Sequence, residues 1–280
     1  MRKTVSTLLG HAHVEMALAC LGSLLRYSAE PLRPRLHDDG SLTPADLARL
    51  GEGLGEVEVV SRREADARVE EALGDRPALR ELRRRNPLGL KLLDAPLLAE
   101  GGELAYCDSD VLFLRPFSGL FGFPEAGAVF MADRQNAYSV RSWHLLRHRR
   151  LALPQKVNSG VTLFRTGFLD LDLLEWYFAR PEFGFAPVWT EQTAWALLGQ
   201  RAGCRLWDPR LIRFPDDGEG DPVALHFVSP LRSLLAPALE RARDRTGEPP
   251  VAVATVPARR CHAWDLAWTE ARRRLGRLTS

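Results

Sequence analysis

Two aspartates, Asp108 and Asp110, interrupt an otherwise apolar stretch as the triplet Asp108-Ser109-Asp110. Leu104-Ala105-Tyr106-Cys107 precedes them and Val111-Leu112-Phe113-Leu114 follows. Buried in such a setting, carboxylates are costly without cations or hydrogen-bond donors. At the C-terminal end of a parallel strand they point instead into the crevice where α/β folds bind ligands. A divalent cation there neutralises them and bridges them to a diphosphate. An Asp-x-Asp triplet by itself is weak evidence, since a chain of this size holds about one by chance. A second, Asp170-Leu171-Asp172, is indeed present. It follows Phe168-Leu169 where a helix begins, and acidic side chains there favour the positive end of the helix dipole. The second triplet is therefore read as structural and the first as a metal site.

The elements that must position the first triplet read as alternating strands and helices. Thr4–Leu9 is a short β-branched apolar run, the first strand. In His13–Tyr27 the apolar residues Val14, Leu18, Leu21 and Leu25 are spaced four, three and four, which predicts a helix packed on one face. Arg35–His37 is a weak strand ending in a turn, Asp38-Asp39-Gly40. Thr43-Pro44-Ala45-Asp46 is a helix start, with Thr43 as cap and Asp46 answering it. Glu56–Val60 is the next strand, Arg62–Arg85 a charged helix and Leu88–Leu98 a more apolar one. Strands Glu103–Cys107 and Val111–Leu114 flank the aspartates. Further strands are expected at Val129–Met131, Gly160–Phe164 and Val223–Phe227, and helices at Leu169–Phe178 and Glu191–Gly199. Pro215–Pro222 is an irregular acidic loop. The order implies parallel strands with helices on the faces and a more mixed second half.

Three other stretches are ordinary when taken singly. Asn158-Ser159-Gly160 opens a strand as a turn would. Thr190-Glu191-Gln192 opens a helix with Thr190 as cap. His226-Phe227 ends a late strand.

Their order carries a resemblance. The chain resembles the family-eight-like retaining glycosyltransferases, such as glycogenin and the lipopolysaccharide galactosyltransferases. The likeness runs from Thr4 to about Ser233. It includes the first strand and helix, the Lys91 helix, Leu104–Phe117, Asn158–Arg165, Glu191-Gln192 and His226. It implies an α/β fold of the GT-A, Rossmann-like nucleotide-diphospho-sugar transferase type with a mixed central sheet. It implies hexose transfer from a nucleotide-diphosphate sugar, UDP-sugar by expectation, with retention of configuration. Asp108, Asp110 and His226 would hold Mn²⁺ or Mg²⁺. Lys91 matches a basic residue near the donor phosphates. Asn158 and Glu191 match positions that hydrogen-bond the donor sugar, and Gln192 matches the residue beneath the anomeric carbon. A glutamine there supports an oxocarbenium-like state but is a poor nucleophile. Ser109 and Ser159 fall inside the matched motifs and join the expected substrate contacts.

The sequence departs from the family pattern in three places. Leu8-Leu9-Gly10-His11 stands where relatives carry Asp or Asn near the nucleotide, so Leu8 marks that position. The pair is Glu191-Gln192 rather than Asp-Gln. Val228-Ser229-Pro230-Leu231-Arg232 replaces a Gly and a Lys after the histidine, and Arg232 can take the lysine's phosphate role. The rival reading is a phosphatase of the haloacid dehalogenase type, with Asp108 as nucleophile. That motif belongs on the first strand of its core, whereas about a hundred α/β-like residues precede it here.

Composition sets the outer limits. The chain has 280 residues, 45% hydrophobic, and a formal charge of only +2 on 38 basic and 36 acidic side chains. That is enough for a sizeable core and does not call for nucleic acid as a partner. A single domain over 1–280 is expected, with a nucleotide-binding half to about 115, a sugar and acceptor half over about 116–240, and a helical tail over about 241–280. Cys20, Cys107, Cys204 and Cys261 are far apart, against a zinc knuckle or a disulfide scaffold. The N-terminal apolar run is too short for a signal peptide core, and the expected location is the cytoplasm. The acceptor, whether glycan, lipid or small molecule, is left open. Near the C-terminus, Trp264, Trp268, Ala271, Leu275 and Leu278 are spaced four, three, four and three beside Arg272, Arg273, Arg274 and Arg277. Such a stripe either packs on the domain, with both tryptophans in the core, or lies at a membrane surface as a peripheral contact.

Overall fold

The computed structural model describes residues 2–184 and 187–278, with the side chains of 187 and of 275–278 outside the description. The expected alternation opens the chain. Strand Lys3–Leu9, helix Val14–Tyr27, strand Leu32–Asp38, helix Pro44–Leu54 and strand Glu58–Val60 follow one another, and their strands pair in parallel. Helix Val14–Tyr27 buries Val14, Ala17, Leu21 and Leu24 against the sheet. Thr43 and Asp46 form the reciprocal capping box, each side chain accepting the other's backbone N–H. A cap of this kind contributes about 1 kcal/mol.

An eight-stranded sheet runs through the molecule. Its order is Thr255–Pro257, Cys204–Trp207, Ala128–Ala132, Val157–Arg165, Glu103–Cys107, Lys3–Leu9, Leu32–Asp38 and Glu58–Val60. Val157–Arg165 is antiparallel to both its neighbours and makes the sheet mixed. Apolar clusters fill both faces, one around Tyr106, Phe130, Phe164 and Trp195, the other around Val5, Leu21, Phe113 and Trp207. A separate three-stranded sheet joins Ile212–Arg213, Ala224–His226 and Val111–Phe113.

Several expected boundaries are corrected. Arg62–Arg85 is two helices, Arg62–Leu73 and Pro77–Arg85. Gly74, at φ 52°, leaves the helical region between them, and Pro77 starts the second. The strand expected at Gly160–Phe164 begins earlier, at Val157, because Asn158 and Ser159 are buried within the sheet despite being polar. Thr190 is the first helical residue of Thr190–Ala202, and Trp189 occupies the cap position without a side-chain cap bond. Asp170 does cap its helix, its carboxylate accepting Leu173 N–H at 2.7 Å.

Helix Pro87–Leu97 is buried along most of its length. Arg83 clamps it, donating twice at 2.7 Å to the buried Asp94 carboxylate. Gly89 permits the close approach: a Cβ there would lie 2.9 Å from the Leu82 carbonyl oxygen. This packing aims Lys91 at the sheet end. The acidic loop is fastened by arginines, with Asp216 and Asp217 held by Arg134, and Asp221 by Arg115 and Arg245.

The C-terminal helix Ala263–Leu278 packs against the short helix Ser142–Arg147, with Glu270 accepting Ser142 N–H at 3.0 Å. Its inward residues are Leu266 and Thr269. Trp264 and Trp268 are 68% and 62% exposed and Ala271 is exposed. The reading that places both tryptophans in the core is thereby corrected: periodicity finds an apolar face but does not say which face meets the domain. Trp264 stacks on His262, and the Arg272 guanidinium lies over the Trp268 ring. The Leu275 and Leu278 side chains lie outside the described residues. Among the described residues no helix is long and apolar enough to cross a membrane.

Candidate active site

The aspartate triplet sits where the two sheets meet. Glu103–Cys107 runs parallel to Lys3–Leu9 and ends immediately before Asp108. Asp108 N–H donates to Gly160 C=O at 2.7 Å, which ties the turn to the neighbouring strand. The chain then enters Val111–Phe113, whose antiparallel partner sets His226 opposite Val111. His226 Nε2 consequently lies 3.1 Å from Asp110 Oδ1 and 3.7 Å from Asp108 Oδ2. One ligand atom from each of the three residues falls within 4.8 Å of the others.

This donor set, two carboxylate oxygens and an imidazole nitrogen, fits a divalent cation that accepts oxygen ligands and one nitrogen. The fit has independent support. Asp110 Oδ1 is buried with no hydrogen-bond donor, although it faces the ring nitrogen. An orphaned, ionised oxygen is costly inside a protein. Burial opposes ionisation of Asp110, yet His226, when its ring carries a charge, and Arg232 outweigh it and hold the carboxyl below its ordinary range.

Cationic side chains surround the pair. Lys91, 3% exposed, donates from Nζ to Asp108 Oδ2 at 2.9 Å and to Ser159 Oγ at 3.1 Å. Its Nζ is 3.7 Å from Glu191 Oε1 and 5.0 Å from the Tyr106 ring centre. Burial disfavours its charge, but Asp108 and Glu191 prevail and raise the ammonium's pKa. Glu191 accepts from Ser159 Oγ at 3.1 Å through Oε2, while Oε1 has no hydrogen bond. Burial raises the Glu191 carboxyl, with Lys91 opposing. Arg232 donates to Asp110 Oδ2 at 3.0 and 3.3 Å, and its Nη1 lies 3.2 Å from His13 Nε2.

A line of amides leads away from the histidine. Asn158 Oδ1 lies 3.1 Å from His226 Nδ1, and Asn158 Nδ2 donates to Gln192 Oε1 at 3.2 Å. Gln192 Nε2 donates to Ala137 C=O at 2.9 Å and lies 3.4 Å from Asp133 Oδ2. Asp133 opens onto a cleft of about 760 Å³ lined also by Arg134, Lys156, Arg210, Leu211 and Arg213. Burial raises the Asp133 carboxyl, against hydrogen bonds from the Gln135 N–H and the Asn158 and Gln192 amides.

Of the residues expected from sequence, the structure gathers Asp108, Asp110, His226, Lys91, Ser159, Glu191, Asn158, Gln192 and Arg232 at one sheet end. Ser109 is buried between the aspartates. Leu8 is not part of this cluster: its side chain packs on the core and its N–H donates to the Tyr106 hydroxyl at 3.1 Å. Four participants are not singled out by the sequence, the first being His13, which reaches Arg232 from the start of the first helix. Asp133 lies in no motif and is brought in by the sheet. Tyr106 reads as an ordinary strand aromatic. Gly160 had a signal, since a glycine inside a strand marks a close approach. A Cβ there would lie 2.3 Å from His226 Cε1 and 2.5 Å from Nδ1. Gly160→Ala therefore displaces the imidazole. We expect Mn²⁺ affinity, read by titration calorimetry, to fall by about tenfold or more, with an unchanged circular dichroism spectrum.

No protein-family model matches the chain, and no curated protein matches its sequence. Solved structures do share its fold. One is mouse xyloside xylosyltransferase 1 in its apo form, 14% identical, with 82% of this chain and 99% of that one aligned at a TM-score of 0.58. Another is the glycosyltransferase GlyE of Streptococcus pneumoniae, 13% identical, with 82% of this chain and 55% of that one aligned at 0.52. At such identities the likeness concerns the fold alone, which is of the GT-A type.

Proposed function

We propose that this chain is a metal-dependent glycosyltransferase that moves a hexose from a nucleotide-diphosphate sugar, a UDP-sugar, to an acceptor with retention of configuration. The observation that carries the reading is the Asp108–Asp110–His226 cluster, with its orphaned oxygen, at a sheet end already lined by Lys91 and Arg232. When bound there, Mn²⁺ or Mg²⁺ would neutralise the aspartates and supply charge for the leaving diphosphate. Lys91, Arg232 and His13 would add positive charge and hydrogen bonds beside that diphosphate. Glu191, whose Oε1 has no hydrogen bond, would meet the donor sugar, with Ser159 and Asn158 beside it. Gln192 presents an amide oxygen that stabilises positive charge without becoming a nucleophile. Asp133, between Gln192 and the open cleft, would orient an acceptor hydroxyl. Nothing in the fold supports the phosphatase alternative: Asp108 follows a central strand and its Oδ2 is taken by Lys91.

The direct test is a screen of nucleotide sugars for Mn²⁺-dependent release of nucleoside diphosphate. Release from one donor, abolished by EDTA, supports the transferase. Inorganic phosphate released instead, with no diphosphate, refutes it.

The outward tryptophans favour peripheral contact with an anionic membrane surface, the protein acting from the cytoplasm. Asp265 and Glu270, the acidic residues of the described helix, are engaged by His262 N–H and Ser142 N–H, which leaves arginines to dominate its outer face. Trp264→Ser combined with Trp268→Ser should abolish sedimentation with phosphatidylglycerol vesicles and leave donor turnover in solution unchanged. Wild-type protein that ignores such vesicles contradicts this contact.

A further inference from the structure

We infer that Asn158, braced by Gln192, is a positioning residue that fixes His226 as its Nδ1–H tautomer and so presents the bare Nε2 to the cation. The inference rests on reading Asp108, Asp110 and His226 as a cation site. It assigns Asn158 and Gln192 a role separate from any contact with sugar.

Two backbone groups, whose polarity is not open to choice, orient the network. Gly160 N–H donates to Asn158 at 2.9 Å, so the atom it meets is the amide oxygen. Ala137 C=O accepts from Gln192 at 2.9 Å, so the atom it meets is the amide nitrogen. Each anchor orients one side-chain amide, and the two then agree: Asn158 Nδ2 donates to Gln192 Oε1 at 3.2 Å. Reversing either amide would set donor against donor or acceptor against acceptor. The oxygen of Asn158 also faces His226 Nδ1 at 3.1 Å. An amide oxygen only accepts, so Nδ1 carries the hydrogen. In the neutral ring Nε2 is then unprotonated.

That nitrogen points at Asp110 Oδ1, 3.1 Å away and lacking any donor, and towards Asp108 Oδ2 at 3.7 Å. A lone pair facing two carboxylate oxygens is repulsive on its own and becomes favourable around a cation. The partner on the remote ring nitrogen is what sets which nitrogen ligates. All three groups are buried: His226 is 3% exposed, Asn158 5% and Gln192 7%. Water is therefore poorly placed to substitute for a missing partner.

The test uses full-length protein with ¹⁵N-labelled histidine, without metal and at a pH where the ¹⁵N shifts themselves show a neutral ring. Long-range ¹H–¹⁵N correlation should show His226 protonated at Nδ1 and bare at Nε2. Asn158→Ala should shift the ring towards Nε2–H and weaken Mn²⁺ binding, measured by calorimetry, by about 10–100-fold. Asn158→Asp retains the oxygen that accepts from Gly160 N–H and His226 Nδ1, although it gives up the donation to Gln192, and should keep the Nδ1–H tautomer. It also guards against a folding defect in the alanine variant. A wild-type ring protonated at Nε2 overturns the inference directly, as does an alanine variant with unaltered tautomer and affinity. Wild-type protein that binds no Mn²⁺ while holding the Nδ1–H tautomer overturns it instead through the cation reading, so the two failures are distinguishable.

Discussion

Asp110→Asn should lower sugar transfer by about 10³-fold or more while leaving the fold intact. A metal that stabilises charge on a leaving diphosphate contributes several kcal/mol to the barrier, and about 4 kcal/mol corresponds to 10³ in rate. Asparagine keeps the shape of the side chain and can still accept from Arg232 through Oδ1, so packing is conserved. What disappears is the formal charge beside His226, together with the oxygen that has no donor of its own. The fold should tolerate the change, because removing an ionised, unpaired oxygen from a buried position relieves a cost. Kinetics with excess Mn²⁺, set beside thermal unfolding, checks both halves. EDTA should inactivate wild type and Mn²⁺ restore it, whereas the variant should respond to neither. Retention of more than a tenth of wild-type activity would remove Asp110 from the site.

Lys91→Met is expected to act on stability and rate together. The ammonium is buried and placed among Asp108, Ser159 and Glu191, residues from a turn, a strand and a helix. Methionine preserves the volume but leaves the carboxylates facing one another without a cation. Breaking a buried pair by removing one partner costs about 3–5 kcal/mol. The lower end is appropriate, because Asp108 is 23% exposed and partly screened by water. The companion variant Lys91→Met with Asp108→Asn should recover part of that loss, since it removes one of the stranded charges. Lys91→Arg should not restore activity, because a planar guanidinium cannot replace a compact point charge at 2.9 Å from one oxygen and 3.1 Å from another. Urea unfolding and kcat/KM on the same preparations separate the effects. A methionine variant with wild-type stability would contradict the assigned charge balance.

The parts of the molecule legible from sequence are those fixed by local chemistry. The Thr43–Asp46 capping box lies within four residues and was readable as such. The early strand and helix alternation follows from apolar spacing, and the helix Val14–Tyr27 buries the face that spacing selects, with Leu18 and Leu25 packed at its margin. Asp108 and Asp110 stood out because charge in an apolar strand pair demands an explanation. Residues governed by packing were harder to place. Val157–Arg165 hides its start behind polar Asn158 and Ser159, the first paired with Met131 of a neighbouring strand and the second covered by Lys91 and Glu191. Gly74 and Pro77 did signal the break in the charged helix, but the continuity of charge masked it. The contact between Gly160 and His226 spans two sheets, and only tertiary structure brings the missing Cβ to the imidazole. Trp264 and Trp268 show the same limit at the surface: their spacing reports a face, while Leu266 and Thr269 decide which way it turns.

If Asp108, Asp110 and His226 hold a cation, it would couple the protein to a nucleoside diphosphate. Titration of UDP, and of other nucleoside diphosphates in parallel, into protein with saturating Mn²⁺ and again with EDTA tests it most directly. One diphosphate should bind with Mn²⁺ present, and its affinity should fall by at least about 100-fold with EDTA or in Asp110→Asn, the loss of several kcal/mol of charge stabilisation. Equal affinity with and without the metal, or no binding of any nucleoside diphosphate, would contradict it.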